Sequence, residues 1–286
     1  MRTTVQVVLL GAFCLAVACL PALAADSIFA APSLDHGFRL MYDLDFERAH
    51  QVFALWQRQY PEDPLGPVGE AAGLLFSELN RLGVLQAQFY EDDDKFDARR
   101  KLIPDLAVRD RFNAALAQAE SRAQARLARD PKDRDGLFGM TLSAGLKADY
   151  TALIEKRNMA SLRFTKAASR WAEQLLAADP SCYDAYLATG ISKYIIGSMA
   201  APVRWVLRLG GYPGDKKTGI EELRRTAERG RYLAPFARIL LAIAYVREKD
   251  KPRARALLAD LRDEFPRNPL FAQEIARLDK APAAIR

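Results

Sequence analysis

Histidine and cysteine are scarce in this sequence of 286 residues, which has two of the first and three of the second. His36 and His50 lie fourteen positions apart, with no His-Glu-x-x-His or paired-cysteine motif to complete a zinc site. A phosphate-binding loop, a dinucleotide glycine fingerprint and a Gly-x-Ser-x-Gly elbow are missing as well. No cofactor and no metal is therefore expected. The acidic run at residues 91–94 lacks the spaced oxygen ligands and turn glycine of a calcium loop and reads as a solvated segment. A two-carboxylate acid/base enzyme stays open, because the chain has 36 acidic side chains whose mutual distances are not legible in sequence. Long β-branched alternation is absent too, which removes the strand signal and leaves an all-α expectation.

The first residues do carry a signal. Arg2 precedes an apolar run over residues 5–20, followed by Pro21 and the small-residue stretch Ala22-Leu23-Ala24. That is the pattern of a secretory signal peptide, and its apolar run falls short of the ~20 residues a membrane-spanning helix needs. Residues 1–24 are read as the signal, with cleavage before Ala25, and residues 25–286 as one exported helical domain, periplasmic or secreted. Ala16-Val17-Ala18-Cys19 offers a rival route, an outer-membrane lipoprotein tethered through Cys19. Cleavage after Ala24 leaves Cys182 as the single cysteine, so the core must hold the domain without an internal disulfide. Basic residues exceed acidic ones by six. With no recognisable reading module, that bias points away from nucleic acid and is compatible with an anionic envelope lipid or cell-wall polymer.

From Asp45 onward apolar residues return at helical spacing. An alanine followed twelve positions later by a proline recurs four times: Ala49 and Pro61, Ala119 and Pro131, Ala168 and Pro180, Ala254 and Pro266. Proline cannot continue a helix and restricts the residue before it, so each marks a helix end. The last copy adds Leu241-Ala242-x2-Tyr245 and Ala254-x3-Leu258; the first adds Ala49-x3-Phe53; Tyr186-x2-Thr189-Gly190 resembles an entering helix, and Met140 with Asp149-Tyr150 a more degenerate one. These residues resemble the tetratricopeptide repeat (TPR) family, whose 34-residue unit is a helical hairpin that buries its apolar face only by stacking on its neighbours. The departures are Arg238, Ala242 and Leu258 at the Trp, Gly and Phe places of the last copy. The resemblance implies a TPR-like α-solenoid of four or five stacked hairpins that works by binding and not by catalysis.

Proline spacings of 70, 49 and 86 depart from whole repeats. The first reads as nearly two units, the second as a unit containing one long helix over residues 150–178, and the third as carrying an insertion near residues 197–217. In that insertion Pro202 suits a helix start and Gly210-Gly211 a helix end. Arg204 and Arg208 share one face of this amphipathic element, Trp205 lies between them, and Lys216 and Lys217 follow. It is expected either to cap the core or to meet a partner or an anionic surface. The family's concave surface is lined by first helices; carried over by position from Gly190, this implies Asp184, Leu187, Ile191 and Tyr194 as groove residues, with Phe236, Ile239 and Ile243 from the last unit. The resulting expectation is a scaffold holding a protein or peptide in a groove. A lipid- or solute-binding protein with an apolar cavity is the alternative.

Overall fold

The computed structural model describes residues 33–87, 102–211 and 214–280. The stretch read as a signal peptide, Cys19 and the acidic run at 91–94 lie outside them. Among the described residues every regular element is a helix, as the missing strand signal led one to expect. Two short helices, α1 (Leu34–Tyr42) and α2 (Phe46–Gln59), form the first pair; α3 (Leu65–Arg81), the single turn α4 (Val84–Ala87) and α5 (Leu106–Arg129) form the second. The third joins α6 (Arg134–Asp149) to α7 (Asn158–Ala178). The fourth joins α8 (Tyr186–Ser198) to α10 (Lys216–Arg229) across the intervening α9 (Ala201–Leu209). The fifth is α11 (Ala234–Arg247) with α12 (Lys251–Glu264), and α13 (Pro269–Lys280) closes the series. Apart from α4 and α9, each helix packs chiefly on the one before and the one after it, the signature of a stacked array of helical hairpins.

Local chemistry explains the punctuation. The side chains of Asp45, Asp105, Asp215 and Asp250 accept backbone N–H bonds at the first turns of α2, α5, α10 and α12, the second helices of their pairs. Four pairs end in the same turn, with the amide of Asp63, Asp133, Cys182 or Asn268 donating to the carbonyl three residues back. The recurrent proline stands at the second position of each turn, where its fixed φ is pre-set. Twelve residues earlier stand Ala49, Ala119, Ala168 and Ala254, all buried. Phe53, fully buried, shows what the small neighbours are for: its ring lies against Gly37 of α1 and Gly69 of α3, where no Cβ would fit.

The fourth pair obeys the same plan with different residues. Gly219 takes the alanine place, and its Cα faces the backbone of Gly190 and Tyr194 so closely that a Cβ would lie 2.6–2.9 Å from backbone atoms. The place twelve residues after Gly219 holds Arg231 and not a proline. In its place the Asp184 carboxylate, reaching from the start of the same pair, accepts the N–H groups of Arg231, Tyr232 and Leu233 at 2.8–3.3 Å.

Two readings of the spacing are corrected. The interval between Pro61 and Pro131 holds a single pair, α3 with α5, its extra length lying in α4 and the segment before α5, and not nearly two units. Residues 150–178 are not one helix either. The end of α6 widens into a π-turn at Tyr150–Ile154, where Glu155 N–H donates to Tyr150 O, and the chain breaks at Lys156, whose φ of +58° is left-handed. Tyr150 is turned toward α5, where its ring stacks on Phe112 at 5.0 Å. The interval from Pro180 to Pro266 contains the fourth and fifth pairs together with α9.

The array also curls until its beginning meets its end. Arg39 pairs with Glu264 at 2.7 Å, and Arg267 with Asp43 and Asp45 at 2.8 and 2.9 Å. The Asn268 amide donates to Tyr42 O, and the Tyr42 hydroxyl donates to Tyr232 O. Phe38 packs on Tyr232 and Tyr42 on Phe265. Helix α1 thus packs on the turns that precede and follow the fifth pair. One apolar core runs through the whole array, from Leu34 to Leu278.

Candidate functional site

Because α1 closes the curl, the inward faces of the pairs surround a cavity of about 150 Å³. The first helix of every pair contributes: Phe38 and Tyr42 from α1, Phe76 from α3, Gly145 from α6, Ile191 from α8 and Phe236 from α11. The walls are chiefly apolar, and the described residues that line them include no lysine, arginine or histidine, although the chain as a whole is basic. Two carboxylates reach them, Asp149 and Asp184.

These acids differ in circumstance. Asp184 is spent on the three N–H groups of the 231–233 turn; burial pushes its carboxyl up, and those bonds pull in the other direction. Asp149 ends α6 immediately before the π-turn, which also brings Ala152 to the cavity wall. Among the described residues no hydrogen bond or ion pair satisfies the Asp149 carboxyl. Burial alone pushes it up to about 7. The side chain is half-buried and borders the hollow. A helix that opens into a π-turn beside an unpaired acid is an arrangement found often at working sites.

The expected groove residues fall into three groups. Asp184, Leu187, Ile191 and Phe236 line the main cavity, and Phe236 is shared with a smaller one of about 50 Å³ that Ile239 also lines. Tyr194 is buried where α8 crosses α10, and Ile243 is half-buried against the core. Asp149 is the site residue that sequence reasoning misses, because no local motif marks it.

The inserted element is the second unusual surface. Helix α9 has no buried residue, and Val203, Trp205, Val206 and Leu209 are 49–71% exposed. It therefore does not cap the core. Its tethers are Arg204 donating to Gly197 O and Lys166 donating to Gly210 O, both at 3.1 Å. The excursion leaves and rejoins the array at one pinched point, where the Asp215 amide donates to Lys193 O and the backbones of Gly197 and Gly214 abut. Arg208 and Lys217 are exposed beside it, whereas Lys216 pairs with Glu248 of α11's C-terminal end.

His50 and Cys182 have structural surroundings, and His36 is exposed on α1. His50 meets Glu70 at 2.7 Å, and Arg111 meets the same carboxylate at 3.0 Å, tying α2, α3 and α5 together. Burial raises the Glu70 carboxyl, but His50 and Arg111 outweigh it and leave it below the usual range. Cys182 is buried, and burial pushes its thiol up.

Fold and site together define a class: an all-α stack of antiparallel helical hairpins that curls shut around a small, acid-bearing apolar cavity. No protein-family model matches the chain, and no curated protein does. Among solved structures it is similar to the crystal structure of a thermophilic TPR protein in Thermus thermophilus, at 15% identity and a TM-score of 0.43, over 87% of this chain and the whole of that one.

Proposed function

We propose that this protein is an exported scaffold that binds a protein partner, with α9 as the principal contact and no covalent chemistry of its own. One observation carries the reading: a nine-residue helix holds four large apolar side chains in solvent on an otherwise well-packed array. Exposing that much contiguous apolar surface is costly unless something covers it. Trp205, with Arg204 and Arg208 on either side, has the composition of an interface anchor. The stacked hairpins supply a rigid platform for it, and the apolar run over residues 5–20 supports export.

The test places a photo-activatable residue at Val206 of the mature chain and irradiates it in envelope extract. A discrete protein adduct is expected, and its yield should drop at least about fivefold when Trp205 and Arg208 are both changed to Ala, since interface anchors of this kind contribute ≥ ~1 kcal/mol each. Absence of any protein adduct, together with tight binding of the purified chain to vesicles rich in anionic lipid, would replace the protein-partner reading with membrane attachment.

A further inference from the structure

We propose that the central cavity is a receptor for one lysine side chain of the bound partner, with the apolar walls taking the methylene stem and Asp149 taking the ammonium. The inference deepens the scaffold reading above and rests on it. Size comes first: about 150 Å³ is the space of one benzene-sized group, well below the ~300 Å³ at which pockets for drug-sized ligands begin. A single side chain fits it; a lipid does not. Charge comes next. The chain carries a net positive charge, yet the described residues that wall this cavity include no cation, and one carboxyl among them is satisfied by no described residue. An acid in such a place is stabilised by an incoming cation, which is also the group that a negative, apolar-walled site selects.

Shape decides the rest. The walls come from Val68, Ala72, Leu142, Leu187 and their neighbours, which offer methyl and methylene contacts to a straight stem. Gly145 leaves room for the stem along the wall, because a Cβ built on it meets nothing within 4 Å. Asp184 does not compete for the cation, since its oxygens are already shared among three amides. A lysine, which presents a compact ammonium on a flexible stem, suits a lone carboxyl better than arginine, whose fork calls for two acceptor atoms held in plane.

The experiment uses the mature chain and two end-blocked pentapeptides, Gly-Gly-Lys-Gly-Gly and the same peptide with norleucine in place of lysine, which keeps the stem and drops the ammonium. Binding is read by chemical-shift titration at pH 8, with n-butylammonium as a third probe. The lysine peptide is expected to bind about ten-fold or more tighter than the norleucine peptide, the range of a hydrogen bond to a charged group. That ratio should collapse to about one in Asp149→Asn. Gly145→Leu, which fills the hollow from a helix position that tolerates a side chain, should abolish shifts from all three probes while the circular dichroism spectrum is retained. Equal affinity of the two peptides for the wild-type chain, or a preference that survives Asp149→Asn or Gly145→Leu, overturns the proposal. The outcome is separable from that of the α9 adduct: loss of the adduct with lysine selectivity intact removes the scaffold reading alone, and loss of selectivity with the adduct intact removes the lysine site alone.

Discussion

Changing Asp184 to alanine is expected to lower the stability of the folded chain by about 4 kcal/mol, because it strands three backbone donors at ~1–3 kcal/mol each, partly relieved by water. The acceptor being lost has no substitute nearby. The other four pairs close their turns with a proline and an amide-to-carbonyl bond, but the turn at residues 230–233 is closed by this one side chain. Leu233, whose amide lies 2.8 Å from Asp184 Oδ1, is itself buried and begins the fifth pair. Loss of the contact therefore loosens both the turn and the seam where Tyr232 receives Tyr42. For a domain of this size the midpoint of thermal unfolding should drop by roughly 8–16 °C. Asp184→Asn, which keeps one acceptor oxygen, should fall between alanine and wild type. Urea denaturation followed by circular dichroism measures the series; a loss under about 1 kcal/mol for alanine would show that the carboxylate is not the closing element.

Asp149 should produce the opposite sign. Its folded-state pKa is pushed up to about 7, against 3.8 for an ordinary aspartate, because the ionised form is poorly solvated in the hollow. Between those values the folded chain holds a proton that the unfolded chain has released. Stability from this group is thus complete below about pH 4, declines as pH rises, and is exhausted above about pH 7. The gap sets a ceiling of about 4 kcal/mol, and contact of the carboxyl with water in the cavity lowers it to roughly 2–3 kcal/mol. Asp149→Asn should therefore stabilise the protein by that amount at pH 8.5 and change it by less than about 1 kcal/mol at pH 4. Denaturant melts of both proteins across that range give the difference directly, and other titrating groups cancel in it. A flat difference across pH would mean that the carboxyl is already solvated or paired.

The all-helical fold and most of the pairing are legible in the sequence, because the signals are local. An alanine that must let two helices touch and a proline that must end the second one lie only twelve residues apart, and four pairs announce themselves this way. The fourth pair shows only its first helix, through Tyr186 and Gly190; its second stays hidden because Gly219 does the alanine's work and Asp184 the proline's. The helix break at Lys156 is equally hidden, since it depends on Tyr150 reaching Phe112 of another pair. The inserted helix is visible through Pro202 and Gly210-Gly211; its exposure is not, because exposure depends on what the rest of the chain leaves uncovered.

The cavity lies further out of reach. Its existence depends on curvature summed over five pairs, ending in contacts such as Asp35 with Arg231 and Arg39 with Glu264 between residues about two hundred positions apart. No periodicity encodes such a meeting. Positional analogy with a repeat unit places Leu187, Ile191 and Phe236 on the inward face, whereas nothing local marks Asp149, whose importance comes from the hollow it faces and not from any motif around it.

Closure of the array is the claim on which the cavity rests, and zero-length carbodiimide coupling tests it directly. Arg39→Lys places a reactive amine against Glu264 at the seam, and Lys147 with Glu120, at 2.6 Å between neighbouring helices, serves as an internal control. Peptide mapping of the monomer is predicted to recover a cross-link between positions 39 and 264 alongside the control link. Recovery of the control link from a folded monomer with nothing joining 39 to 264 would contradict closure.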